Sequence, residues 1–144
     1  MKLGEFSNNS AHSNCLYGLR IYHGHSPTTT AQYTGFKSWK NGRNGIIGGE
    51  LGKVVFKDVT LSDNMVAGFE VEEDVNPTNY ANGNDGSNKG YLDGGVIIGR
   101  NPDNIGDFAG VAPHGVITPR TERYTIKNIF FGHFDFSIQD PEHE

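Results

Sequence analysis

Two glutamates, Glu70 and Glu72, have the residue type and spacing that hydrolytic chemistry would need. They alternate with Phe69 and Val71, so a β-strand would place both carboxylates on its outer face. Cleavage of a glycosidic bond usually needs two carboxyl groups about 5–9.5 Å apart, one as the acid and the other as the base or nucleophile. Glu70 and Glu72 are therefore the catalytic candidates, and the competing interpretation is a pair of solvated surface carboxylates.

A second group of residues suits the recognition of sugars. Trp39 lies close to Lys37 and Lys40, and Tyr80 is a further aromatic residue in a polar segment. An aromatic ring can stack on the apolar face of a pyranose, while neighbouring lysines attract its acidic groups. These four residues are the candidate glycan-binding residues. The competing interpretation of Trp39 is that it covers the edge of a structural repeat.

The segment 82–88 has the Asn, Asp and Gly content of a calcium-binding loop. It lacks the regular acidic positions and the final Glu of an EF-hand, so a polar surface loop is the preferred interpretation. We therefore expect no cofactor, and Asp85 and Asp93 are the candidate ligands should calcium bind.

A threefold repeat indicates the elements that would position these residues. Each copy has an aromatic residue, seven further residues, an Asn, three residues, a Gly and a short strand-like run. The distance along the chain from the Asn of one copy to the Asn of the next falls within the ~20–50-residue range of solenoid repeats. Stacked at ~4.8 Å, equivalent Asn side chains in left-handed turns would hydrogen-bond to one another as a structural ladder. The aromatic, Asn and Gly positions are Phe6, Asn14 and Gly18; Tyr33, Asn41 and Gly45; and Phe56, Asn64 and Gly68.

The chain of 144 residues contains 20 glycines and 35 % hydrophobic residues, which favours many tight turns between short strands. Together with the repeat, this composition predicts an all-β fold, a right-handed parallel β-helix (a pectate-lyase-like solenoid) of about four to five coils. Further strands are expected at 94–100, at 115–119 and from residue 124 onwards. The polar segments 74–92 and 101–114 would be two loop insertions, and loops of this kind commonly form the binding face of a solenoid.

The last predicted strand fits the repeat in two registers. One register places Asn128 and Gly132 at the Asn and Gly positions. The other aligns apolar residues, and it matches Ile126, Ile129 and Phe131 with Phe56, Val59 and Leu61.

The composition also excludes some classes of function. The net charge of −5 and the scattered Lys and Arg residues argue against nucleic acid as a partner. No apolar run approaches the ~18 residues of a membrane span, and the N-terminus lacks the apolar segment of a signal peptide. An export signal would therefore lie outside residues 1–144, which we interpret as one β-helix segment of a larger chain. The sequon at Asn8 makes that residue the candidate glycosylation site of an exported protein.

Several separate motifs occur along the chain, at residues 11–14, 17–21, 36–41, 64–70, 94–98 and 115–119. In these motifs and their order, the chain resembles the β-helix region shared by fibrocystin, fibrocystin-L, transmembrane protein 2 and the cell migration-inducing hyaluronan-binding protein. The resemblance implies a large secreted or single-span surface protein. Two members act on or bind hyaluronan, and the fibrocystins are ciliary or stereociliary surface proteins without an established enzymatic activity. This chain departs from the animal members in having one cysteine, Cys15, and in its 74–92 segment. The resemblance covers about residues 6–138.

We therefore expect a non-catalytic scaffold or recognition segment, extracellular or at the cell surface, that contacts glycan or protein. One alternative is a polysaccharide hydrolase or lyase fragment, which should have convergent carboxylates in a basic or aromatic groove. The other is a structural component of a surface filament or coat. Because an open solenoid end exposes unpaired backbone groups, we expect flanking coils or neighbouring subunits to cover the ends.

Overall fold

The computed structural model describes residues 3–22, 25, 27–49, 51, 53–72, 90–100, 113–118 and 124–134. This described part is all-β, and it contains no helix, hence none that could cross a membrane. The strands are β1 (Ser10–His12), β2 (Tyr17–Ile21), β3 (Ala31–Thr34), β4 (Lys37–Trp39), β5 (Asn44–Gly49), β6 (Val54–Ser62), β7 (Ala67–Glu72), β8 (Tyr91–Ile98), β9 (His114–Ile117) and β10 (Thr125–Gly132).

The strands form two sheets, and every described pair is parallel. Sheet A has the order β1-β4-β6-β8-β10, and β3 also pairs with β6, while sheet B has the order β2-β5-β7-β9. Along most of the chain, successive strands alternate between the sheets, so a strand pairs with its equivalent in the next repeat rather than with its sequence neighbour. The all-β architecture with parallel strands predicted from the sequence is therefore confirmed.

The pairing registers place the three aligned repeats side by side. Trp39 of β4 is paired with His12 on one side and with Ser62 on the other. In sheet B, Ile46 lies between Leu19 and Phe69. Equivalent residues of successive repeats therefore share a column, which is why the same residue types recur at these positions.

The structure also distinguishes the two registers for the last strand. Leu92 lies between Phe56 and Ile126, and Ile97 lies between Leu61 and Phe131. The apolar register is therefore the observed one. The register that aligned Asn128 and Gly132 with the Asn and Gly positions is wrong, because it would move the apolar side chains of β10 out of these columns.

A line of left-handed residues crosses sheet A and explains the spacing of its core residues. Its members are neighbours in the sheet register, and each has a positive φ of 53–80°. Each inserts one extra residue between inward-facing positions, as a β-bulge does, so the inward spacing is three residues and then two. In β6 the inward residues are accordingly Phe56, Val59 and Leu61, all buried. The left-handed column contains Asn8, Gly35, Asp58, Gly94 and Asn128.

The core lies between the two sheets. Aromatic rings of sheet A stack along it, with centroid distances of 4.8 Å from Phe6 to Tyr33 and 5.1 Å from Tyr33 to Phe56. Phe56 then meets Phe69 of sheet B edge-on at 5.2 Å. Burial of each such ring contributes roughly 1.5–3 kcal/mol relative to exposure, so these contacts hold the sheets together.

The two predicted insertions are shorter than the sequence indicated. Tyr91 and Leu92 belong to β8, and Leu92 is fully buried in the core. His114 likewise begins β9 rather than ending a loop. The predicted ends of the insertions, at residues 92 and 114, were wrong because the polar residues beside them do not indicate a strand. The rest of the two insertions, 74–89 and 101–112, lies outside the described residues.

Candidate functional site

The three ladder residues are joined by hydrogen bonds from one repeat to the next. Asn14 Nδ2 donates to Asn41 Oδ1 at 3.0 Å, and Asn41 Nδ2 donates to Asn64 Oδ1 at 2.8 Å. Asn41 Nδ2 also donates to Ser38 Oγ at 2.8 Å, and Ser38 Oγ donates to the Gly45 carbonyl oxygen at 3.1 Å. Because Asn41 and Asn64 are buried and Asn14 is exposed, this Asn ladder is an internal polar seam that satisfies the turn between the two sheets.

The ladder turn differs in one respect from the predicted geometry. The left-handed residue is the one before each Asn, with φ of 56° at Ser13, 53° at Lys40 and 52° at Asp63. The Asn residues themselves do not have a positive φ. The prediction of left-handed Asn residues is therefore wrong. The preceding residue makes the turn, which leaves the Asn amide free to reach the neighbouring repeat.

Of the predicted glycan-binding residues, the structure brings together Lys37 and Trp39. Both point outward from β4, since the intervening Ser38 is buried. The imidazole of His12, one strand away, stacks on Trp39 with a centroid distance of 4.5 Å and an interplanar angle of 14°. Lys40 occupies the exposed left-handed turn position beside them. These side chains form an outer aromatic and basic patch on sheet A.

Glu70 and Glu72 lie on β7, on the outer side of sheet B, and both are partly buried. Glu70 Oε2 accepts a 2.6 Å hydrogen bond from Nδ2 of Asn44, a fully buried residue of the neighbouring strand. The two glutamates are two residues apart on one strand, a Cα spacing of roughly 6.6 Å. Both carboxylates therefore lie on one face of one sheet, and Glu70 is hydrogen-bonded to the buried side-chain amide of Asn44 on the neighbouring strand.

Sequence reasoning missed a cluster of aromatic and basic residues on the same face of sheet B. The Arg20 guanidinium carbon lies 5.2 Å from the ring centroid of Tyr17 and 4.9 Å from that of Tyr22. The Arg43 guanidinium carbon lies 5.8 Å from the ring of Tyr17. We call these four residues the Tyr–Arg cluster. The alternation of Arg20 and Tyr22 with the inward Leu19 and Ile21 was the available signal, but Arg43 comes from the next repeat.

Asp93, a candidate calcium ligand, lies on the outer face of sheet A between two lysines. Its register neighbours are Lys57 on β6 and Lys127 on β10. The carboxylate accepts a 2.8 Å hydrogen bond from Asn128 Nδ2 and forms a 3.1 Å ion pair with Lys127 Nζ. The hydrogen bond from Asn128, followed by the contacts with Lys127, lowers the pKa of Asp93 below its ordinary value. The carboxylate is thus oriented by side chains of the protein itself.

This environment gives Asp93 an expected signature in the pH dependence of stability. Because its pKa is lower in the folded chain, the ionised carboxylate stabilises the fold above the ordinary aspartate pKa of about 3.9, and this stabilisation disappears as the pH falls through the folded pKa. We expect Asp93→Asn to be less stable than the wild type at pH 7 and to approach it near pH 3. Urea unfolding at both pH values measures this, with Asn128→Gly, which tolerates the positive φ of that position, as a second variant expected to lose the same pH-dependent part of the stability. An equal stability difference at both pH values would contradict the assignment.

The remaining predicted sites are placed as follows. Tyr80 and Asp85 lie outside the described residues. Asn8 is exposed in the left-handed column of sheet A, and Cys15 is an exposed free thiol. Within the described parts of the chain, no three His, Cys, Asp or Glu side chains form a group that could hold a metal ion.

Comparison with protein-family models, with curated proteins and with solved structures finds no match to this chain.

Proposed function

We propose that this chain is a segment of a right-handed parallel β-helix that serves as an extracellular or cell-surface scaffold and recognises glycan through its outer faces, without catalysis. The observation that carries the proposal is the pairing of equivalent residues in successive repeats across two parallel sheets. A chain that alternates between two parallel sheets and returns to the next strand of each has the connectivity that a solenoid requires. The resemblance of residues 6–138 to the fibrocystin-type β-helix region supports the same fold and a surface location.

The Asn ladder supports a scaffold role. Its hydrogen bonds are directed along the stack of repeats, and two of its three members are buried. The two buried amides are satisfied by hydrogen bonds within the protein, so they stabilise the stacking and are not accessible to a ligand. In this proposal, function belongs to the outer faces and to the loops, while the ladder maintains the shape.

The arrangement of Glu70 and Glu72 favours binding over hydrolysis. Glycosidases place their two carboxyl groups on opposite sides of the scissile bond. Here both glutamates come from one strand, and Glu70 is bonded to the buried Asn44 amide. Two carboxylates along one wall do not by themselves enclose a bond between an acid and a base.

The last strand supports the proposal that neighbouring structure covers the end of the stack. β10 is the outermost described strand of sheet A, and Phe130 and Phe131 are 63 % and 46 % exposed. Phe131 occupies an inward column, in line with the buried Ile97. A flanking coil or a neighbouring subunit that stacked on β10 would bury this ring and pair the free strand edge.

Replacing Trp39 with alanine tests the recognition of glycan by the patch on sheet A. We expect the affinity for a bound saccharide to fall about tenfold, as for a central aromatic contact, because His12 would lose its stacking partner and the sugar its platform. The measurement is a glycan array followed by titration calorimetry on the parent protein, with neutral and acidic polysaccharides including hyaluronan. Phe130→Ala, which removes an exposed ring elsewhere on sheet A, is the matched control and should leave the affinity unchanged.

The same experiment separates recognition from catalysis. Degradation of any polysaccharide by the wild type would contradict the non-catalytic proposal, and its loss in Glu70→Gln would then point to the glutamates as catalytic groups. Absence of binding to every saccharide would contradict glycan recognition. Circular dichroism of each variant shows that a lost affinity does not reflect a lost fold.

A further inference from the structure

We infer that the Tyr–Arg cluster on the outer face of sheet B is a binding site for the acidic groups of a linear polysaccharide. The inference rests on the proposed role in glycan recognition. It adds a contact on sheet B to the aromatic and basic patch around Trp39, which lies on sheet A. Its residues are Tyr17, Arg20, Tyr22 and Arg43, and they come from two successive repeats.

Two aromatic rings contact the guanidinium group of Arg20. Its central carbon lies 5.2 Å from the ring centroid of Tyr17 and 4.9 Å from that of Tyr22, both within the range of cation–π contacts. An arginine that stacks the face of its guanidinium group on aromatic rings keeps the N–H donors on its edge available, and these can bind a carboxylate or sulfate with two parallel hydrogen bonds.

A second cation adjoins the first. Arg43 contacts the same Tyr17 ring at 5.8 Å, so two guanidinium groups share one tyrosine. Both arginines are exposed, and neither forms an ion pair with a carboxylate among the residues that the structure describes. In a chain with a net charge of −5, two adjacent arginines that have no acidic partner in the described part of the chain form a local positive site.

The rest of the face limits what such a ligand can be. Arg20, Ile47 and Glu70 are consecutive neighbours across sheet B, so positive and negative residues lie about two strand spacings, ~9.6 Å, apart. A nucleic acid, with closely spaced phosphates along its length, would meet the glutamate as well as the arginines. A polysaccharide also presents sugar rings beside its acidic groups, and the Tyr22 ring, 65 % exposed, offers a surface on which a sugar ring can stack.

The test is the affinity of the parent protein for three polysaccharides: a polyuronate, a sulfated polysaccharide and neutral dextran. We expect binding of one or both acidic polymers but not of dextran, and weaker binding as salt is raised. Arg20→Ala and Arg43→Ala should each lower the affinity about tenfold, and the double variant more, since each removes a charge-assisted contact. Arg20→Lys keeps the positive charge but loses the planar group that donates two parallel hydrogen bonds, so this variant should bind with intermediate affinity.

Two further variants make the result specific. Lys127→Ala removes an exposed cation of sheet A that belongs to neither proposed binding surface, and it should leave the affinity for the acidic polymer within about twofold. Glu70→Gln keeps the acceptor for Asn44, removes the negative charge, and should bind acidic polymer slightly more tightly, by up to about twofold at low salt.

The possible outcomes distinguish this inference from the proposed function. Unchanged affinity in the double arginine variant, together with lost affinity in Trp39→Ala, would overturn the inference and leave glycan recognition standing. Equal binding of dextran and the acidic polymers would overturn the role of the arginines as well. Failure of the wild type to bind any polysaccharide would overturn both proposals.

Discussion

Asn41→Ala is expected to destabilise the protein by about 2–4 kcal/mol, one of the largest effects of any single side chain. The Asn41 side chain donates to Ser38 Oγ and to Asn64 Oδ1, and it accepts from the backbone and side chain of Asn14. Its removal leaves the buried Asn64 oxygen with only the Asn41 backbone N–H at 3.3 Å. It also leaves a small cavity in a site that is closed to water.

The measurement is the free energy of unfolding from urea titration, followed by circular dichroism. Asn14→Ala is the matched control, because Asn14 is at the exposed end of the ladder and water can replace its partner. We expect it to cost less than about 1 kcal/mol. Asn41→Asp keeps the size but loses both donors and adds a buried charge, so it should be at least as harmful as Asn41→Ala. Equal stabilities of Asn41→Ala and Asn14→Ala would show that burial of the ladder does not matter.

Gly95→Ala is expected to destabilise the protein by about 3–5 kcal/mol through backbone strain and overlap together. Gly95 has a φ of 131°, which L-residues rarely adopt, and it lies in β8 between Val59 of β6 and Ile129 of β10. A Cβ there would overlap the Val59 carbonyl oxygen and lie 2.7 Å from the Val59 nitrogen. These are backbone atoms in the middle of sheet A, so neither strand can move aside without breaking its pairing.

Gly4→Ala is the control for this substitution, since no atom lies within 4 Å of a Cβ at that position. Its unfolding free energy should stay within about 0.5 kcal/mol of the wild type. The comparison uses thermal and urea unfolding of both variants. A Gly95→Ala protein as stable as Gly4→Ala would mean that β8 does not approach β6 as closely as the structure places it.

The residues that repeat in register could be predicted from the sequence. Equivalent positions of parallel strands share a column, so a residue type that suits one level tends to suit the next. The ladder Asn residues and the aromatic stack of Phe6, Tyr33 and Phe56 are visible for this reason. The left-handed column was missed because its positions alternate between glycine and Asn or Asp. The side chains of Asn8 and Asp58 fill the space above Gly35 and Gly94.

The candidate sites depended more strongly on tertiary structure. The alternation around Glu70 placed both glutamates outside, but only the fold reveals that Asn44, 26 residues away, donates to Glu70. Lys37 and Trp39 were neighbours in the sequence and remain so, whereas the stacking of His12 on Trp39 needs the pairing of β1 with β4. Sequence spacing finds pairs within one strand and residues of the same type in successive repeats, but it does not find pairs of unlike residues on different strands.

By itself, the sequence determined the all-β class, the parallel repeats and the residues that stack between them. Each copy of the repeat must bury the same positions, so each copy carries the pattern in its own residues. Only the tertiary structure decided the register of β10, the bulge that spaces the core residues, and the meeting of Arg20 with Arg43. Each of these depends on which backbone groups pair across the sheets. That choice is made by the packing of all the strands together, and no single segment of the sequence contains it.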